Sequence, residues 1–165
     1  MQVRDEIEPF SLNSKLYQAE SIEIEQCQIT DPVVLSHFQG RQAFIRCRFF
    51  ENFDLIEFVK KWKSGEAFQK LEYLEIRILY FVLFDKGILN EFAAKYICAT
   101  KNPPTHVLPR IFIGNGFERN THPITSHTYV VRESDGHVAS VQIQGKKFKF
   151  GVWNQTEEEF LNMVE

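Results

Sequence analysis

Histidine, cysteine, serine and carboxylate side chains are the groups that could hold a metal or break a bond, and their spacing decides what they can do. The five histidines, His37, His106, His122, His127 and His137, show no HExxH or CxxC arrangement, the spacing that brings two ligands to one metal from a shared turn. No metal and no cofactor is expected. Ser126 and His127 are adjacent, so on an extended chain they point to opposite faces, while Asp135 falls in a turn and no GxSxG elbow occurs. A nucleophile triad therefore has no basis in the sequence. Gly114-Asn115-Gly116 is followed by neither a third glycine nor GK[ST], which makes it a turn and not a phosphate loop. There are 22 Asp plus Glu, but no pair can be assigned to one cleft for acid–base work. The chain is expected not to be an enzyme.

Residues suited to binding are easier to find. Lys146, Lys147 and Lys149 interleave with Phe148 and Phe150, the mixture of cations and rings that can stack on single-stranded nucleic acid. No further basic cluster supports them, and 19 Lys plus Arg against 22 Asp plus Glu leave a net charge of -3, so a nucleic-acid partner is the lesser reading. Trp62 and Trp153 have the bulk of interface anchors, but each sits in an apolar pattern that favours the core. Cys27, Cys47 and Cys98 are odd in number and far apart, which fits reduced, buried thiols in the cytoplasm or nucleus better than a disulfide framework.

The elements that must position these residues fit one domain over residues 1–165. Sixteen Phe point to a core filled by aromatic rings. The longest apolar run, Ile78 to Phe84, is far short of the roughly 20 residues that cross a bilayer, and the start of the chain turns acidic at Asp5-Glu6, unlike an export signal. A soluble protein with no membrane partner is expected.

Ala19 to Ile29 fits the leucine-rich pattern LxxLxLxxCxL, a strand that turns. Asp31-Pro32 opens a short helix that Gly40 closes, Ala43 to Phe49 forms a second strand, and a second helix runs from Asn52 to Gly65 with Leu55, Phe58, Val59 and Trp62 on one face. Leu71 to Ile76 repeats LxxLxI as a third strand. Helices between strands require crossovers and hence a parallel sheet. Ile88 to Ile97 has helical spacing, and Thr105 to Ser126 reads as a strand and a long connection. The period then becomes two over Tyr129–Glu133, Val138–Ile143 and Lys147–Trp153, joined by Ser134-Asp135-Gly136 and Gln144-Gly145. Thr156 and Glu159 form a capping box for a last helix. The fold class is thus α/β, a short leucine-rich-repeat-like parallel strand–helix section (21–104) followed by an antiparallel β-meander and a C-terminal helix (105–165). Residues 1–20 form an N-terminal cap or remnant in which Ile7, Phe10, Leu12 and Leu16 cover the first repeat.

Aligning Ile22/Ile24, Ile45/Cys47 and Leu74/Ile76 as inward pairs leaves Glu23, Arg46 and Glu75 in one outward row and Glu25, Arg48 and Arg77 in the next. These six residues are the candidate partner-binding set.

Two segments, DLIEFVKKWKSGEAFQKLEYLEI and YVVRESDGHVASVQIQGKKFKFGVW, resemble the nematode F-box-associated domain, the first its helix, lysine-tryptophan pair and LEYL strand, the second its closing meander. The resemblance covers most of the chain from about Ser21. It implies the substrate-recognition region of an SCF-type ubiquitin ligase: a non-catalytic protein-interaction module that holds a candidate ubiquitination substrate. Pro9-Phe10-Ser11-Leu12 does not supply the F-box pattern, so a Skp-type adaptor is expected to join only if an F-box lies upstream.

Overall fold

The computed structural model describes residues 2–4, 14–25, 31–48, 50–79, 84–112 and 118–165. Cys27, Gly114, Gly116 and three members of the expected cap, Ile7, Phe10 and Leu12, lie outside them. Leu16, the fourth, is buried in a 3-10 turn at Lys15–Gln18.

The first section alternates strand and helix: β1 (Gln2–Arg4), β2 (Ser21–Glu25), α1 (Asp31–His37), β3 (Gln42–Cys47), α2 (Asn52–Ser64) and β4 (Tyr73–Ile78). The four strands pair in parallel in that order. Helix α2 stops where its periodicity predicts. Gly65 takes φ +74°, the left-handed value that a side chain would strain, and its N–H donates to Trp62 O at 3.1 Å.

The second section contains α3 (Ile88–Glu91), β5 (Lys95–Tyr96), β6 (Thr105–His106), β7 (Ile124–Thr125), β8 (Thr128–Val131), β9 (His137–Gln144), β10 (Lys147–Thr156) and α4 (Glu157–Asn162). Strands β8, β9 and β10 form the antiparallel meander. β10 also pairs antiparallel with β4, which gives one eight-stranded sheet in the order β1-β2-β3-β4-β10-β9-β8-β5. Helix α4 starts at the expected box, Thr156 N–H donating to Glu159 Oε2 at 2.8 Å and Thr156 Oγ1 accepting from Glu159 N–H at 3.5 Å.

Helices α1, α2 and α3 cover one face of the sheet. Ile22, Ile24, Ala43, Ile45, Leu74, Ile76, Phe148 and Phe150 meet Leu35, Leu55, Phe58, Trp62 and Phe92 there. The aromatic content is concentrated in this layer: the Phe58 ring lies 4.8 Å from Phe68 and 5.1 Å from Phe150, and Trp62 lies 5.0 Å from Phe150 at 82°. Tilted and edge-on pairs of this kind add to the area that each ring removes from water.

The structure corrects five expectations. The row alignment is displaced by two residues on β3: Ala43 and Ile45, not Ile45 and Cys47, stand beside Leu74 and Ile76. Arg41 fixes this, because its N–H donates to Glu20 O at 2.8 Å and its carbonyl accepts from Glu72 and Tyr73 N–H at 2.8 and 3.1 Å, so the strands start flush. The third strand runs from Tyr73 to Ile78, two residues later than expected, for the same reason. The expected helix over Ile88 to Ile97 ends at Glu91, where Lys63 Nζ donates to Phe92 O at 3.0 Å and Ala93 turns to φ +50°. The chain then becomes β5, paired with β8. β1 adds a further parallel strand that three residues are too few to announce by periodicity. Finally, Cys47 is buried as expected but Cys98 is exposed.

Candidate functional site

The sheet's second face carries two parallel rows of polar side chains, and only one of them is covered. In the first row Glu23, Phe44, Glu75, Lys149 and Gln142 stand in register on β2, β3, β4, β10 and β9. In the second, Glu25, Arg46, Arg77, Lys147 and Gln144 do the same at the carboxyl ends of the parallel strands.

The cover over the first row is formed by residues 107–112 and 118–123, the described parts of the connection between β6 and β7, held side by side by the β6–β7 pairing and by a bridge between Pro109 and Asn120. Leu108 and Ile124 pack on Phe44 and Tyr73, and the Arg110 guanidinium lies 3.9 Å from the centre of the Phe44 ring. Gln42 holds the same segment by two bonds, its Nε2 donating to Pro109 O at 2.9 Å and its Oε1 accepting from Ile111 N–H at 3.1 Å.

Under the cover lies a chain of ionisable groups. Glu75 is 8% exposed, and its Oε2 accepts from Tyr73 Oη at 2.9 Å and faces His122 Nδ1 at 2.6 Å. His122 Nε2 lies 3.3 Å from Glu118, which in turn lies 3.5 Å from Arg110. Lys149 Nζ donates to Pro123 O at 3.2 Å. Burial, reinforced by the neighbouring Glu75 carboxylate, pushes the Tyr73 hydroxyl far above its ordinary range, so it remains a donor. Burial lowers the Lys149 ammonium, an effect that Glu75 opposes. Glu75, His122, Glu118 and Lys149 each have a polar partner here, which offsets the desolvation cost of a buried network, whereas Arg110 Nε is buried without one.

His106 fastens the first end of the cover. Its ring is buried, its Nε2–H donates to Val152 O at 2.9 Å, and its other face lies on Gly151 so closely that a Cβ there would come within 2.6 Å of Nδ1. Nδ1 itself has no hydrogen-bond partner, and burial lowers the imidazole pKa. The ring is thus held neutral, and its close approach to the backbone explains why β10 needs glycine at this point.

The second row is open. Arg46 pairs with Glu25 while keeping 46% of its side chain exposed. Arg77 is exposed and Lys147 half-buried, and neither has an ion-pair or hydrogen-bond partner among the described residues. Arg46, Arg77 and Lys147 are direct neighbours across three strands, an arrangement of like charges that destabilises a sheet.

Of the six expected binding residues, the structure brings Glu25, Arg46 and Arg77 into one open row. Glu23 is half-buried at the edge of the covered row, Arg48 lies beyond the end of β3, and Glu75 is turned from an outward residue into a buried one by the cover. Lys147 completes the open row. Its strand was legible, but its neighbours on β4 were not. Phe148 and Phe150, which the sequence paired with the lysines as a stacking platform, are fully buried against Phe58 and Trp62.

Trp62 is fully buried, and Trp153 packs at the α4 end with its Nε1–H donating to Ser140 Oγ at 2.9 Å. A polar cleft of about 290 Å³ near Arg41, Lys70, Glu72, Arg132 and His137 has two of its cations paired, Arg41 to Glu72 at 2.8 Å and Arg132 to Asp135 at 2.6 Å. Among the described residues, no group of three or more His, Cys, Asp or Glu is placed to hold a metal ion, and no helix is long and apolar enough to cross a membrane. The chain matches no family model, no curated protein and no solved structure.

Proposed function

We propose that this chain is a non-catalytic protein-interaction module that holds a protein partner on the open row of its sheet, as its resemblance to the substrate-recognition region of F-box proteins implies. The observation that supports this is the juxtaposition of Arg46, Arg77 and Lys147 on an open strand surface, where among the described residues only Arg46 has a carboxylate partner, beside a covered row in which Glu75 and Lys149 are matched. A sheet that can build the matched row has no folding reason to leave the other one frustrated, and a bound partner supplies one. On this reading the partner is a candidate ubiquitination substrate, and a Skp-type adaptor joins only if an F-box lies upstream.

The test is to place a photo-crosslinking residue at position 144, exposed beside Lys147 in the open row, in the full chain, with position 60 on the far side of α2 as control. Reproducible protein adducts at 144 and none at 60 are expected. Equal labelling at both positions, or none at 144, overturns the module.

A further inference from the structure

We infer that the partner docks through an acidic segment, a protein stretch rich in Asp and Glu whose carboxylates lie across Arg46, Arg77 and Lys147. The inference rests on the interaction-module reading and names what that module takes. The three cations stand on adjacent strands, about 4.8 Å apart, so the row presents positive charge over about 10 Å. Guanidinium forks donate paired hydrogen bonds to carboxylates, and two of the three cations are arginines. Among the described residues only Glu25 offsets the row, at its β2 end, which leaves Arg77 and Lys147 to be neutralised from outside them.

Charge alone would also suit nucleic acid, but the surroundings favour a peptide. Phe148 and Phe150 are the aromatic side chains that alternate with these lysines, and both point into the core, so they offer no ring for a base. The cations form one short row in a chain of net charge -3, too little for a phosphate backbone that must be followed over many charges. An acidic segment needs only to cross it once.

The experiment uses the full chain and a labelled poly-glutamate peptide of about ten residues, enough to cross the row, with poly-glutamine and single-stranded oligothymidylate as comparison probes, read by fluorescence anisotropy. Poly-glutamate should bind above poly-glutamine and weaken about tenfold between low and physiological salt. The Arg77→Gln, Lys147→Gln double variant should lose a further tenfold or so while its melting temperature holds or rises. Poly-glutamate binding no better than poly-glutamine, binding unaffected by the double variant, or tighter oligothymidylate binding lost in the same variant would each overturn the acidic-segment assignment. The crosslink from position 144 separates the two readings. Protein adducts that persist when poly-glutamate fails to bind leave the module standing and remove only the acidic partner, whereas poly-glutamate binding without protein adducts removes the module.

Discussion

The two rows on the outer sheet face are built by the same strands two residues apart, yet they have opposite electrostatic fates. In the covered row Glu75, His122, Glu118, Arg110 and Lys149 close on one another beneath Leu108 and Ile124. In the open row Arg46, Arg77 and Lys147 stand side by side, with Glu25 paired to Arg46 at one end. The covered row sets one cation, Lys149, against Glu23 and Glu75, while the open row sets three cations against one carboxylate, and the segments that join β6 to β7 reach only the first. A strand's outward residue becomes structural or available according to whether another segment folds over it.

Filling the seam where the cover meets the sheet should have the largest effect. Gly151→Ala puts a methyl group into the His106 ring, and overpacking of this kind costs about 3 kcal/mol, which thermal unfolding will show as a marked drop in melting temperature. No drop would mean that the cover is not seated on β10. Next, Glu75→Ala leaves Tyr73 Oη and His122 with their carboxylate partner gone, and should cost about 2 kcal/mol in chemical denaturation.

A smaller effect comes from acid. Because the folded pKa of His106 is lowered, the unfolded chain takes up the proton first, so the stability that the neutral ring supports is present above about pH 6.5 and declines as pH falls below it. The slope should flatten in His106→Gln, and an identical slope would detach the imidazole from the cover's stability. The smallest change should carry the opposite sign. Arg77→Glu converts the open row to alternating charge and should stabilise the fold by about 0.5 kcal/mol, whereas a loss would show that the row is not frustrated.

Much of this architecture could be read from periodicity. The parallel section follows from Ile22/Ile24, Leu74/Ile76 and the stripe on α2, and the meander follows from its alternation and its two turns, because each pattern is repeated over enough residues to specify a face. The site was only half legible. Ala43 is a core position with almost no hydrophobic signature, so the alignment slid to Ile45 and Cys47 and moved Arg46 into the wrong row. β6 and β7 are two residues each, too short for any period, so neither the cover nor the burial of Glu75 beneath it could be anticipated. The end of α3 depends on a lysine from α2, Lys63, reaching the Phe92 carbonyl, a contact between segments far apart in sequence.

β10 is the hinge of manufacture for this fold, since among the described strands it is the one that pairs the parallel section with the meander. During synthesis β4 emerges long before residues 147–156, and until they arrive it presents a bare hydrogen-bonding margin on which a second nascent copy could zip. The molecule therefore depends on late closure, and slowing translation between β4 and β10 should lower the yield of soluble product more than a pause placed after β10.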